Sequence, residues 1–233
     1  PILIISGEPN SIFLEIFFKS LKIKIKNPII LIASKKLLKL QMNKLNFKKK
    51  INILNPDKID AYKLDNKSIN LVDVNYNPKK AFEKISKKSN RYITNCFKIA
   101  FELIKKYKIN KLINGPINKK TFLNKNYLGI TEYISKNFNV QNNAMLIYNE
   151  KLSVCPLTTH LPINLVAKNI NKELILKKTK LINIFYKKIL NTKPKIGVVG
   201  LNPHCESINK FNEDDEIIKP AVNTLKKMKY NIS

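Results

Sequence analysis

The chain has 233 residues, 44% of them hydrophobic, and carries 44 Lys+Arg against 16 Asp+Glu for a net charge of +28. This length and apolar content support one large or two small domains with a packed core and exclude whole-chain disorder, and no apolar run reaches the roughly 18 residues of a membrane span. Three widely spaced cysteines, Cys96, Cys155 and Cys205, argue against a disulfide framework and point to a reducing cytoplasm, and residues 1–5 are too short and lack the basic flank expected of a signal peptide.

The charge does not read as a nucleic-acid surface. Arg91 is the only arginine, and the lysines spread from Lys19 to Lys229. Arginine is the side chain that forks onto phosphates and guanine edges. Dispersed lysine reads as solvated faces, so no nucleic-acid partner is expected, although the field would draw in small anions. Self-repulsion of this size destabilises the compact state at low ionic strength. Added salt is therefore expected to raise Tm, by roughly 2–4 °C for each kcal/mol of repulsion relieved. A melting curve that ignores salt would remove that idea.

Residues 2–5 form a continuous apolar run, as a buried parallel strand does. Ser6-Gly7-Glu8-Pro9-Asn10 punctuates it, and Ile12, Phe13, Ile16, Phe17 and Leu21 then recur at helical spacing. Residues 29–32 repeat the strand signal, and Ser34 is placed to cap a helix carrying Leu37, Leu38 and Leu45. Residues 51–54 and 69–74 are further strands. A long helix is expected within 81–107, followed by a strand at 111–114 that ends in Gly115-Pro116. In the second half, 144–148, 152–157 and 195–200 read as strands, and 173–190 and 213–228 as helices, the latter bent or restarted by Pro220. Strands alternating with long helices predict an α/β fold, a largely parallel sheet with helices on both faces. The crossover between domains is expected near 131–143, giving domains 1–134 and 135–233.

Open α/β sheets bind ligands outside the carboxyl ends of their strands. The loops that follow the predicted strands are Ser6-Gly7-Glu8-Pro9, Gly115-Pro116-Ile117-Asn118-Lys119, Thr158-Thr159-His160-Leu161-Pro162 and Leu201-Asn202-Pro203-His204. One sheet edge would gather them. The chain has two histidines, and each falls in such a loop. Neutral imidazole is a common metal ligand, but two are too few for a catalytic site, and either could equally be an ordinary loop or core histidine. Cys205, Glu206 and Asp214 lie near enough to add ligands, although nothing compels them. Lys119 could meet an anion beyond the Gly115-Pro116 turn, or the segment could be a plain strand-to-helix turn. Thr131-Glu132 could face a phosphate from a helix start or simply cap it. No phosphate-loop glycine fingerprint is present. Cys155 reads as core, and Cys96 has no activating partner nearby in sequence.

Taken in order, Gly7-Glu8-Pro9, Gly115-Pro116-Ile117-Asn118-Lys119, Gly129 with Thr131-Glu132-Tyr133, Leu157 to Pro162, Gly200 to His204, and Glu213-Asp214 with Ile218-Lys219-Pro220-Ala221 resemble the PdxA family of 4-hydroxythreonine-4-phosphate dehydrogenases in pyridoxal phosphate (vitamin B6) biosynthesis. The resemblance implies a two-domain αβα fold like isocitrate and isopropylmalate dehydrogenases, a cytoplasmic homodimer, and a site built from both subunits. It implies NAD or NADP, and a divalent metal (Zn, Mg or Co) held by three histidines, of which two fall on His160 and His204. Thr131 falls on a substrate-contacting position, and Lys119 is a candidate for the substrate phosphate. No residue is assigned as the catalytic acid or base. The reaction implied is oxidation of 4-phosphooxy-L-threonine to 2-amino-3-oxo-4-phosphooxybutanoate, which loses CO2 to give 3-amino-2-oxopropyl phosphate.

The chain also departs from the family. Ile130 stands where the family has a substrate-contacting histidine. Bulky Phe13 interrupts the glycine-rich continuation after Gly7-Glu8-Pro9. The third metal histidine is expected beyond Ser233, so the chain is expected to be a fragment with an incomplete second domain. These departures leave open a related enzyme of threonate or erythronate 4-phosphate, or a decayed, non-catalytic member.

Overall fold

The protein is described by a computed structural model, covering residues 1–118, 122–123, 127, 129–202 and 211–233. The chain divides into two compact units, Pro1–Gly129 and Ile130–Ser233.

The first unit is built on a five-stranded, all-parallel sheet of order β3-β4-β2-β1-β5. Its strands are β1 (Ile2–Ile5), β2 (Ile29–Ala33), β3 (Ile51–Ile53), β4 (Ile69–Asp73) and β5 (Leu112–Asn114). In register, Ile4 pairs with Leu31 and Leu31 with Leu71, so these side chains share one face. Helices α1 (Phe13–Ser20) and α2 (Lys35–Lys44) cover that face, and Leu14, Phe17, Phe18, Leu37, Leu38 and Met42 pack with Ile4, Leu31 and Leu71 in one cluster. The alternate set, Leu3, Ile5, Ile30, Ile32 and Val72, is also buried. Helix α3 (Asn90–Tyr107), which contacts β1 and β2, lies over it. Burial on both faces explains why β1 and β2 are unbroken apolar runs. Asn70 interrupts β4 without leaving a buried polar atom unpaired, because its amide donates to the carbonyls of Ile29 (3.0 Å) and Asp65 (2.6 Å).

Helix α3 lies within the expected span 81–107 and occupies its latter part, starting at Asn90. Side chains capture the backbone that precedes it. Glu83 accepts from the amides of Lys79 and Lys80, Ser86 accepts from Lys88, and Ser89 Oγ donates to the Ser86 carbonyl. Phe82 adopts a left-handed φ of 57°. Local side-chain bonds of this kind compete with helix formation.

Within α3, Cys96 is fully buried beside Tyr92, and desolvation pushes its thiol up to about 12, against an ordinary value of 9.0, with the Tyr92 hydroxyl pulling partly the other way. The folded state therefore holds a proton that the unfolded chain releases above pH 9. Cys96 should lower stability by about 1.4 kcal/mol per pH unit as pH rises from 9 towards 12. Denaturation of wild type and Cys96→Val across this range checks it: the variant should lose that part of the slope.

The second unit holds α4 (Ile130–Asn137), the short α5 (Ile163–Val166), α6 (Lys172–Ile189) and α7 (Lys219–Lys227). Its core is formed by Ile170, Ile175, Ile218, Ala221, Val222, Leu225 and Ile232. Asn171 caps α6 by accepting from the Leu174 amide at 2.9 Å. The expected helix over 213–228 is two pieces: a wide turn at Asp214–Ile218, then α7 with Pro220 in its first turn, where its missing N–H costs nothing. The strands predicted in this half are realised only as single bridges among the described residues, Ile147 antiparallel to Val154 and Ile196 parallel to Ile232. Apolar alternation marks a segment able to pair, and the ladder exists only where a partner runs alongside. Cys155, expected in the core, is only half-buried, and burial raises its thiol pKa.

Candidate functional site

At the carboxyl edge of the first sheet, the loops after β1 and β5 are joined by backbone bonds. Gly115 N–H donates to the Ile5 carbonyl at 2.7 Å, and Glu8 N–H to the Pro116 carbonyl at 2.8 Å. Gly7 holds a left-handed φ of 69°, and a Cβ there would lie 2.4 Å from the Pro116 oxygen. Two glycines at this junction let the chains approach more closely than any side chain permits. In open sheets this switch point is where a ligand crevice opens; here the two loop backbones lie in direct contact.

Behind the junction is a buried polar network that sequence patterning did not single out. Ser6 Oγ and Tyr92 Oη are 2.7 Å apart, and the Ser34 amide donates to Tyr92 Oη at 3.1 Å. Burial drives the Tyr92 phenol well above its ordinary range. Ser34 also caps α2, as its position after β2 predicts, by accepting from Leu37 at 3.3 Å. Glu8, 3% exposed, accepts from Ser89 Oγ at 2.8 Å and from the Asn10 amide at 3.3 Å. These groups satisfy one another, so the network braces the edge. Glu8→Ala removes the acceptor of a buried hydroxyl and leaves a cavity, with an expected loss of about 2–3 kcal/mol. Glu8→Gln should recover a substantial part, and urea denaturation measures both.

Only one more strand-end signal was available for finding this network: small polar residues directly after buried apolar runs, at Ser6 and Ser34. Tyr92 and Ser89 carried none, because their partners are distant in sequence.

The four strand-end loops do not share one sheet edge. The loops after β1 and β5 belong to the first unit, and residues 157–162 and 200–204 to the second. Lys119 and His204 lie outside the described residues, as do Cys205 and Glu206. His160 is exposed with a left-handed φ of 59°, and no hydrogen bond or ion pair occupies its imidazole among the described residues. Leu157, three residues before His160, and Leu201, three before His204, pack against the same core of the second unit. Asp214, 2% exposed, clasps the second of these approaches. Its Oδ1 accepts from the Leu201 amide at 2.9 Å, and its Oδ2 from the Asn202 amide and side chain at 3.3 Å each. With both oxygens engaged, Asp214 shapes the loop and is not a spare ligand. Among the described residues no cluster of three His, Cys, Asp or Glu could hold a metal ion. The exposed, uncommitted imidazole of His160 does fit a ligand role.

Thr131 lies inside the first turn of α4, half-buried, rather than at the cap. Glu132 follows it, and its Oε2 is buried without a hydrogen-bond partner. No helix among the described residues is long and apolar enough to cross a membrane.

The family model for pyridoxal phosphate biosynthetic protein PdxA matches residues 24–233. A 4-hydroxythreonine-4-phosphate dehydrogenase of Sulfurihydrogenibium sp. is 34% identical over 230 residues, 94% of this chain and 69% of that protein. A D-threonate 4-phosphate dehydrogenase of Pectobacterium atrosepticum is 28% identical over 134 residues, 56% of this chain and 41% of that protein. In fold, the chain matches the crystal structure of a 4-hydroxythreonine-4-phosphate dehydrogenase from Klebsiella pneumoniae with a TM-score of 0.81 at 22% identity, over 100% of this chain and 73% of the other. A family match over nearly the whole chain, a relative aligned along most of its length and a shared parallel α/β architecture lead to one conclusion: the chain belongs to the PdxA family, a family of dehydrogenases.

Proposed function

We propose that the chain is part of an NAD(P)-dependent dehydrogenase that oxidises the secondary alcohol of 4-phosphooxy-L-threonine in pyridoxal phosphate biosynthesis, the resulting 3-oxo acid decarboxylating to 3-amino-2-oxopropyl phosphate. The observation that carries this reading is the 34% identity, sustained over 94% of the chain, to a protein of that name. Leu157 and Leu201, which precede the two histidines in sequence, pack on one core.

In this reading Thr131 offers its hydroxyl to the substrate from the first turn of α4, and Lys119 pairs with the phosphate. Negative charge near a helix N-terminus is favoured by the dipole, and a lysine ammonium is a suitable point charge for a phosphate. His160 and His204 are the residues that would hold a divalent cation (Zn, Mg or Co), which would supply Lewis-acid stabilisation of the negative charge that builds on the substrate oxygen as its proton leaves and again as CO2 departs. The nicotinamide takes the hydride, while the protein orients donor and acceptor. Asp214 braces the backbone at Leu201 and Asn202.

The enzyme is further proposed to act as a cytoplasmic homodimer. Supporting this, the second unit exposes Ile147, Leu152 and Val154 beside Ile184, Phe185 and Ile189 of α6, and Tyr186 Oη meets Ser153 Oγ at 3.0 Å between those segments. An apolar patch of this kind favours burial against a second copy.

A related substrate, threonate or erythronate 4-phosphate, is the second reading. It is favoured by Ile130, which cannot donate a hydrogen bond where the family places histidine. The test is reduction of NAD+ or NADP+ by the protein with each phosphate, after chelation and after each cation is restored. Turnover of the amino acid phosphate supports the first reading, and turnover of only a hydroxy acid phosphate the second. A folded protein that reduces neither cofactor with any of these substrates rejects both and leaves a non-catalytic family member.

A further inference from the structure

We infer that Glu132 recognises the α-ammonium group of an amino-acid phosphate, and so sets the choice between an amine and a hydroxyl at that carbon. The inference deepens the reading above and rests on it in one respect, that the first turn of α4 meets substrate. Its own ground is the state of the carboxylate. Glu132 Oε2 is shut off from solvent and accepts no hydrogen bond. Glu132 as a residue is half-buried, whereas the deeply buried carboxylates are fully engaged: Glu8 accepts from Ser89 and Asn10, and Asp214 from Leu201 and Asn202. The ion pairs among the described residues, Lys19–Glu15, Lys106–Asp57, Lys177–Glu173 and Lys219–Asp215, all leave Glu132 out. In a chain with 44 Lys+Arg, a carboxylate oxygen closed to solvent and without a cation partner among the described residues stands out. A buried acceptor without a donor is unfavourable, and native structures keep one where a ligand or solvent molecule completes it.

The donor that suits this oxygen is cationic and compact. An ammonium gives a charge-assisted bond roughly twice as strong as a neutral hydroxyl does. Glu132 follows Thr131 in the first turn of α4, and in the reading above that turn is where the substrate sits. A 2-amino acid phosphate completes the carboxylate with a charge-assisted bond, and the 2-hydroxy counterpart completes it with a weaker one.

The test is calorimetric binding, without cofactor, of 4-phosphooxy-L-threonine and its 2-hydroxy counterpart of the same configuration, to wild type and to Glu132→Gln. Wild type is expected to prefer the amine by about tenfold or more. Glu132→Gln should abolish most of that preference, chiefly by weakening the amine, with Tm unchanged, and Glu132→Asp should keep part of it. A preference that survives in Glu132→Gln, equal weakening of both ligands, or no binding of either ligand by wild type overturns the inference. If Glu132→Gln does not fold, a wild-type ratio near one is enough to overturn it. Turnover is measured separately, so a wild type that oxidises either phosphate with no amine preference sinks this inference and leaves the dehydrogenase reading standing.

Discussion

Gly115→Ala is expected to destabilise the first unit by about 3 kcal/mol, well above the usual cost of a surface substitution. A Cβ on residue 115 would lie 2.3 Å from the Ser6 carbonyl oxygen and 2.7 Å from its carbon. Both atoms are backbone, so no side chain can swing aside. The two loops could relieve the clash only by separating, which breaks the Gly115–Ile5 and Glu8–Pro116 bonds that join them. Gly7→Ala should cost at least as much, because it adds a left-handed backbone penalty of about 1–2 kcal/mol to a 2.4 Å clash with the Pro116 oxygen. Denaturant midpoints with unchanged m-values would establish both losses. A loss below about 1 kcal/mol for Gly115→Ala would mean that the junction is not tight in solution.

Replacing His160 should have the opposite profile. His160→Gly is expected to cut turnover at least about a hundredfold, since even the outer-sphere partners of a metal ligand are worth ten- to a hundredfold. The same change should leave stability equal or slightly raised. The side chain is exposed, and glycine adopts the φ of 59° that strains an imidazole-bearing residue. Left-handed backbone at a non-glycine residue costs energy that the surrounding structure must hold, and His160 shares it with Phe82 and five others among the described residues. Kinetics with saturating cation, paired with thermal melts of the same variant, separate the effects. A variant that is stabilised and fully active would remove His160 from the proposed ligand set.

Much of the first unit was readable from composition and period. Unbroken isoleucine and leucine runs at 2–5 and 29–32 marked strands buried on both faces, and the 3.6-residue spacing through Phe13 and Phe17 marked the covering helix. Ser34 marked a cap. The long helix within 81–107 was readable but its first residue was not, because Glu83, Ser86 and Ser89 bind nearby amides and carbonyls through side chains, in a segment held against Glu8 and Asn10. The second unit was read less well. Residues 144–148 and 195–200 have strand character but pair at single bridges among the described residues.

The sequence by itself determined the chemistry on offer: two histidines shortly after apolar runs, a lysine-rich composition suited to anions, paired glycine loops, and a motif order that belongs to one family. These are properties of residue type and local spacing, and they survive without coordinates. Tertiary structure decided which groups are committed. It made Glu8, met in the sequence as part of a strand-end loop, and Asp214, a possible metal ligand, into braces by burying them among donors, and it brought two glycine backbones together between β1 and β5. It anchored Leu157 and Leu201 in one core and left one oxygen of Glu132 unpaired. Commitment depends on burial and on partners distant in the chain, and only folding supplies either.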